Sequence, residues 1–123
     1  MSQTPRRVLI ADDDPVNRRL GAMLLARAGL DAVVVEDGQA AVEALDGPPF
    51  DLILLDVDMP RLTGLEAATR IREAEKAGGL SRTPMVALTG HSGHHDRQTC
   101  LEAGMDDVLV KPLTPEALDA LLK

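Results

Sequence analysis

Short apolar runs alternate with longer stretches of mixed polarity along this chain. The clearest run lies within Phe50-Asp51-Leu52-Ile53-Leu54-Leu55-Asp56-Val57-Asp58-Met59-Pro60, with Pro48-Pro49 before it and Met59-Pro60 closing it. A run this short and this uniformly apolar predicts a strand buried on both faces, as in the middle of a parallel sheet. Four more runs read as strands: Arg7 to Ala11, Asp31 to Val35, Pro84 to Thr89 and Asp107 to Val110.

The intervening stretches carry helical spacing and helix-start signals. Asp14 before Pro15 predicts a cap and a first helical position. In that helix Val16, Leu20, Met23/Leu24 and Ala28 give the expected buried stripe, and Gly29 the stop. Asp37-Gly38 starts a small helix through Leu45, packed by Ala40, Ala41 and Ala44. Thr63 and Glu66 have capping-box spacing ahead of a third helix with Leu65, Ala68, Ile71 and Ala74 inward. Ala77 to Thr83 reads as a loop, and Gly90 to Asp96 as a polar loop before a short helix to Ala103. Thr114-Pro115 opens a last helix that runs to Lys123. The segments from Ala28 and from Ala103 echo each other, which suggests one glycine-bearing helix-to-strand turn used twice. Five strands alternating with five helices predict an α/β fold: a parallel sheet, helices on both faces, right-handed crossovers.

With 123 residues the chain fits a single domain, 1–123, able to bury its own core. One cysteine, Cys100, precludes an internal disulfide and suits a reducing cytoplasmic setting. No long apolar run suggests a membrane span, and the N-terminus lacks the apolar core of a signal peptide. A formal net charge of −7, with Phe50 the only aromatic residue, argues against direct nucleic-acid binding.

The residues that follow the strands carry the chemistry. Asp12 and Asp13 follow the first strand, Asp56 ends the third, Thr89 ends the fourth and Lys111 follows the fifth. Parallel strands bring these groups to one edge of the sheet, where ligands bind in open α/β folds. Carboxylates gathered there repel unless a positive charge joins them, and a hard, oxygen-seeking cation such as Mg2+ suits them. A hydroxyl and an ammonium beside a carboxylate and a metal make sense if that carboxylate becomes an acyl phosphate.

In these pieces, Val8 to Pro15, Asp51 to Pro60, Ala87-Leu88-Thr89 and Ala103 to Asp107 through Lys111-Pro112, the chain resembles the receiver domains of two-component response regulators. The resemblance covers Val8 to Leu122. It implies a flavodoxin-like, doubly wound five-stranded sheet of order 2-1-3-4-5. It further implies that Asp56 accepts a phosphoryl group from a phosphohistidine on a histidine kinase or histidine phosphotransfer protein, and that an output partner protein reads the result. Asp13, Asp56 and the backbone carbonyl of Asp58 would bind Mg2+, with Asp12 acting through water. Thr89 would be the switch hydroxyl, and Lys111 would contact the phosphoryl oxygens across a typically cis Lys111-Pro112 bond. Asp58 and His91 fall where the family tunes phosphoryl lifetime. Val108 departs from the pattern, since that position usually holds an aromatic ring.

Two other functions compete with this one. Asp56-Val57-Asp58 has the Asp-x-Asp spacing of haloacid-dehalogenase-like phosphatases, although their pair follows an early strand and Met59 departs from their motif. A receiver-like scaffold that works without phosphorylation is the other, suggested by Val108. The first reading makes the chain a signalling module rather than a free-standing enzyme.

Some residues read more plainly. Asp14 is a cap, a turn position alone accounts for the Asp58 side chain, and His91, His94 and His95 are solvated loop histidines without the set of ligands zinc needs. Cys100 packs as a small apolar group. Arg18, Arg19, Arg70 and Arg72 belong to solvated helix faces or a docking rim.

Overall fold

The computed structural model describes residues 6–57, 63–80, 82–89, 97–110 and 113–122. Its strands are β1 (Arg7–Ala11), β2 (Asp31–Val35), β3 (Leu52–Asp56), β4 (Met85–Thr89) and β5 (Asp107–Val110), all parallel in the order β2-β1-β3-β4-β5. The helices are α1 (Pro15–Arg27), α2 (Gly38–Glu43), α3 (Gly64–Ala77), α4 (Arg97–Glu102) and α5 (Pro115–Leu122). Sheet order and helix number match the sequence expectation. The small second helix is shorter than expected, giving way to a 3-10 turn at Ala44–Asp46.

Strand side chains alternate between two cores because successive residues point to opposite faces of a sheet. Leu9, Ala11, Ile53, Leu55, Met85 and Ala87 pack with Ala41, Ala67, Ala68, Ile71 and Cys100, from α2, α3 and α4. Val8, Ile10, Leu52, Leu54, Val86 and Leu88 pack with Leu25 of α1 and Leu118 of α5. Every residue of β3 and β4 is buried, as the uniformly apolar runs predict.

The α1 stripe lies on a different phase from the expected one. Gly21 and Leu25 face the sheet, and Leu24 packs beside them as expected, while Val16, Leu20 and Met23 are 64%, 49% and 48% exposed and Ala28 is also exposed. Gly21 lets the helix lie close to β1: a Cβ there would stand 2.8 Å from Ile10 Cδ1, and that side chain would have to shift. Burial chose the small residue, and the larger apolar side chains were left outside.

The helix-to-strand turn is used three times. Gly29, Gly79 and Gly104 have positive φ, and the next residue donates its N–H five residues back: Leu30 to Leu25, Leu80 to Glu75, Met105 to Cys100. These are the bonds of a Schellman stop, and glycine supplies the left-handed residue.

Arg72 is not on a solvated face. Its side chain is 15% exposed and donates to Glu75 (2.8 Å), Asp106 (3.0 Å), the Thr83 carbonyl (2.8 Å) and the Gly104 carbonyl (2.8 Å). Asp106 also takes Arg82 and the Met85 N–H, and Glu75 takes the Thr83 N–H. This network ties α3 to the starts of β4 and β5 at the N-terminal edge of the sheet.

Candidate functional site

The site is built at the opposite edge. β1 pairs with β2 on one side and β3 on the other, so the chain reverses its winding direction between β1 and β3. Such a switch point leaves a crevice at the carboxyl ends of the two strands. Ala11 is in register with Leu55, so Asp12 and Asp56 leave the sheet at the same level. One carboxylate oxygen from each of Asp12, Asp13 and Asp56 lies within 4.8 Å of the others. Asp12 and Asp56 are 2% and 1% exposed, and Asp13 is open to solvent.

The local backbone holds this cluster. Asp12 N–H extends the β1–β2 ladder to the Val35 carbonyl at 3.1 Å, and the Asp12 carboxylate accepts the Asp14 N–H at 2.9 Å. Asp14 caps α1 through the Val16 N–H, as expected. Arg18 reaches back to the Asp12 carbonyl at 2.8 Å, so it braces the acid loop rather than standing on a solvated face. On the other strand Val57 N–H donates to the Leu88 carbonyl at 3.1 Å.

Thr89 ends β4 one residue beyond Leu88, the register partner of Asp56, and is 1% exposed. Its hydroxyl donates to the Leu109 carbonyl at 3.5 Å, a long bond that costs little to redirect. Val108 is half-buried, in register with Ala87 and packed on the α2–α4 core. The expectations for Asp58, His91, Lys111 and the Lys111-Pro112 bond lie outside the described residues, as do those for His94 and His95. Sequence reasoning missed Arg18 as part of the acid loop; its place one turn after the Asp14 cap was the available signal.

Like charges within 4.8 Å of one another repel, at a cost that the solvent reaching Asp13 screens to a modest size. A cation bound among them would remove that cost, and an all-oxygen donor set fits Mg2+. The residues present therefore fit a divalent metal. Beyond β3 the helix α3 opens with a full capping box between Thr63 and Glu66. The Thr63 N–H and hydroxyl hold the Glu66 carboxyl below its ordinary range.

Comparison with known proteins places this arrangement. The family described as response regulator receiver domain matches residues 8–123. The sensor protein GacS of Pseudomonas syringae pv. syringae is 42% identical over 118 residues, which cover 96% of this chain and 13% of GacS. The chain thus spans about an eighth of the length of that relative. The receiver domain of the sensor histidine kinase PA1611 from Pseudomonas aeruginosa, with a magnesium ion coordinated in its active-site cleft, is 34% identical. It superposes with a TM-score of 0.84, covering 97% of this chain and 95% of that one. The receiver domain of Ssk1, crystallised with the histidine phosphotransfer protein Ypd1 of Saccharomyces cerevisiae, is 30% identical, with a TM-score of 0.85 over 94% of this chain and 84% of that one. Matched through nearly its whole length, the chain belongs to the response regulator receiver domains and is a receiver domain of two-component signalling.

Proposed function

We propose that Asp56 accepts a phosphoryl group from a phosphohistidine on a partner protein, in a reaction that requires Mg2+. The observation that carries this reading is the convergence of Asp12, Asp13 and Asp56 at the switch point of the sheet. In the transfer an Asp56 carboxylate oxygen forms the new bond to phosphorus and the phosphorus–nitrogen bond of the donor breaks. The imidazole keeps the electron pair, and its protonation completes the donor's return to histidine. Bound Mg2+ would offset charge on the carboxylates and on the transferred group. Asp13, Asp56 and the Asp58 carbonyl would hold it directly, and Asp12 through water. Lys111 would meet the phosphoryl oxygens, and Thr89 would exchange its long bond to Leu109 for one to the phosphoryl group. Asp58 and His91 would tune its lifetime.

The donor approaches from the open side of the acid cluster, and the exposed face of α1 flanks that side. Val16, Leu20 and Met23 are large, apolar and solvent-facing on the helix that directly follows the acid loop. That face suits a helical partner such as a histidine phosphotransfer protein, the kind of protein found with the Ssk1 receiver. The output partner meets a surface set by Val108 in place of the usual ring. Cytoplasmic placement belongs to the same reading, resting on the reducing setting that the single cysteine suggests.

The chain acts as a module that stores one phosphoryl group, not as an enzyme turning over a diffusing ester. Family membership supports this over the haloacid-dehalogenase-like alternative. The test is transfer from a phosphorylated histidine phosphotransfer protein. Loss of label from the donor, with matching gain of one phosphoryl group here and none on Asp56→Asn, is the expected result. Continued release of phosphate from small phosphate esters would point to the phosphatase, and no transfer from any donor to the scaffold.

A further inference from the structure

The first residue of α3 lies directly against the backbone of the acceptor strand. A Cβ built on Gly64 would overlap the Asp56 carbonyl oxygen and stand 2.6 Å from Val57 Cα and 3.0 Å from the Asp56 carbonyl carbon. All three are backbone atoms, so no side-chain rotation can make room. The Gly64 N–H points to the Val57 carbonyl at 3.4 Å, which places the helix start across the peptide that carries the acceptor. Gly64 is not one of the positive-φ glycines, so its own backbone would accept alanine. Alanine is also the better helix former. What forbids a side chain there is the closeness of the Asp56–Val57 peptide.

Neither partner can easily step back. The capping box between Thr63 and Glu66 fixes where α3 begins. Ala67, Ala68 and Ile71, all fully buried, hold the next two turns on the sheet. On the strand side, Val57 is tied to Leu88 by its N–H, and Asp56 is in register with Leu88.

We infer that Gly64 is a positioning residue for the acceptor: its bare backbone lets α3 clamp the Asp56–Val57 peptide and so aims the Asp56 carboxylate at Asp12 and Asp13. The reading rests on Asp56 being the acceptor. A side chain at 64 displaces that peptide, opens the three-carboxylate cluster and weakens its hold on a divalent cation, whatever the donor. Outer contacts that orient ligating carboxylates are commonly worth about 10–100-fold in metal affinity.

The experiment compares Gly64→Ala with Ile71→Val, a change on the same helix that loosens its core packing but does not approach the acceptor peptide. All proteins are held in trimethylamine N-oxide, which favours the folded chain. Mg2+ affinity is read by calorimetry, the Asp56 and Val57 amide resonances by NMR without metal, and adduct formation by mass after acetyl phosphate. Gly64→Ala should shift those two amides, weaken Mg2+ by about tenfold or more and slow adduct formation, in protein that is folded by its remaining spectrum. Ile71→Val should lower thermal stability yet keep Mg2+ affinity within about twofold. Gly64→Ala with unchanged Mg2+ affinity and amide positions would overturn the inference. So would equal losses in both variants, and so would a Gly64→Ala chain that stays unfolded in the osmolyte, since the glycine would then serve the fold. A wild-type chain that binds Mg2+ but forms no adduct would count against the acceptor reading, and the Mg2+ comparison would still decide the role of Gly64.

Discussion

The two edges of this sheet handle charge in opposite ways. At the N-terminal edge acids meet guanidinium groups: Glu75 and Asp106 on Arg72, Asp106 on Arg82, and Asp31 on Arg7 at 2.9 Å. At the C-terminal edge carboxylate meets carboxylate, and Asp12, Asp13 and Asp56 crowd within 4.8 Å. The first arrangement holds elements together whatever is bound. The second brings carboxylates together where a divalent cation would offset like charge, so it suits a site that responds to a ligand. The sheet thus separates its ion pairs from its acid cluster.

The contrast breaks most visibly at Arg72. Arg72→Ala leaves the buried Glu75 carboxylate without its guanidinium and the Thr83 carbonyl without the Arg72 donor, and leaves the Gly104 carbonyl with Arg82 at 3.3 Å. It should cost about 3 kcal/mol in urea unfolding, while folded protein still takes one phosphoryl group. Loss of that group from folded protein would show that the edges are not separate.

Magnesium should act on the other edge only. At about a hundred times its Kd it should add about 2.7 kcal/mol of stability. Asp13→Asn should lose that gain while being about 0.5 kcal/mol more stable than the parent without metal, through relief of like charge. A metal-free Asp13→Asn that is clearly less stable would deny that the cluster is strained.

Acid should weaken the N-terminal edge in a set direction. Burial pushes the Asp106 carboxyl up, but the Arg82 hydrogen bond, the Met85 N–H and the charges of Arg82 and Arg72 outweigh it and hold it below its ordinary range. A carboxyl depressed in the folded state stabilises fully above its unfolded pKa, and that contribution fades as pH falls through the lower, folded value. The urea midpoint should therefore drop below about pH 4, and Arg82→Gln should shrink the drop. An unchanged acid profile in Arg82→Gln would remove Asp106 from the account.

The smallest effect on the fold belongs to α1. Leu20→Asp should change stability by no more than about 0.5 kcal/mol, since the side chain is solvent-facing. Transfer from a phosphohistidine protein should slow by about tenfold, with acetyl phosphate unaffected. Equal slowing with both donors would place Leu20 in the chemistry instead of the docking face.

The strands, the caps at Asp14 and Thr63, and the gathering of Asp12 and Asp56 were legible because each depends on local pattern plus parallel topology. β3 shows this best, since a uniformly apolar run can only be buried on both faces. The α1 phase was not legible. Hydrophobic counting gives glycine no weight, yet Gly21 is where the helix comes closest to Ile10. Arg72 misled for a different reason. A helix arginine reads as solvated until residues 83, 104 and 106, distant in sequence, close around it. The third glycine turn at Gly79 was hidden inside what read as a plain loop. Gly64 followed Thr63 as an unremarked helix start, because its significance lies in the backbone it touches.

The measurement that tests the central claim most directly is intact-protein mass after incubation with acetyl phosphate, with and without Mg2+, beside Asp56→Asn. A single phosphoryl adduct that needs Mg2+ and is absent from the variant is the expected result. An unmodified wild-type mass in a folded, magnesium-binding chain, or an adduct that persists in Asp56→Asn, would contradict it.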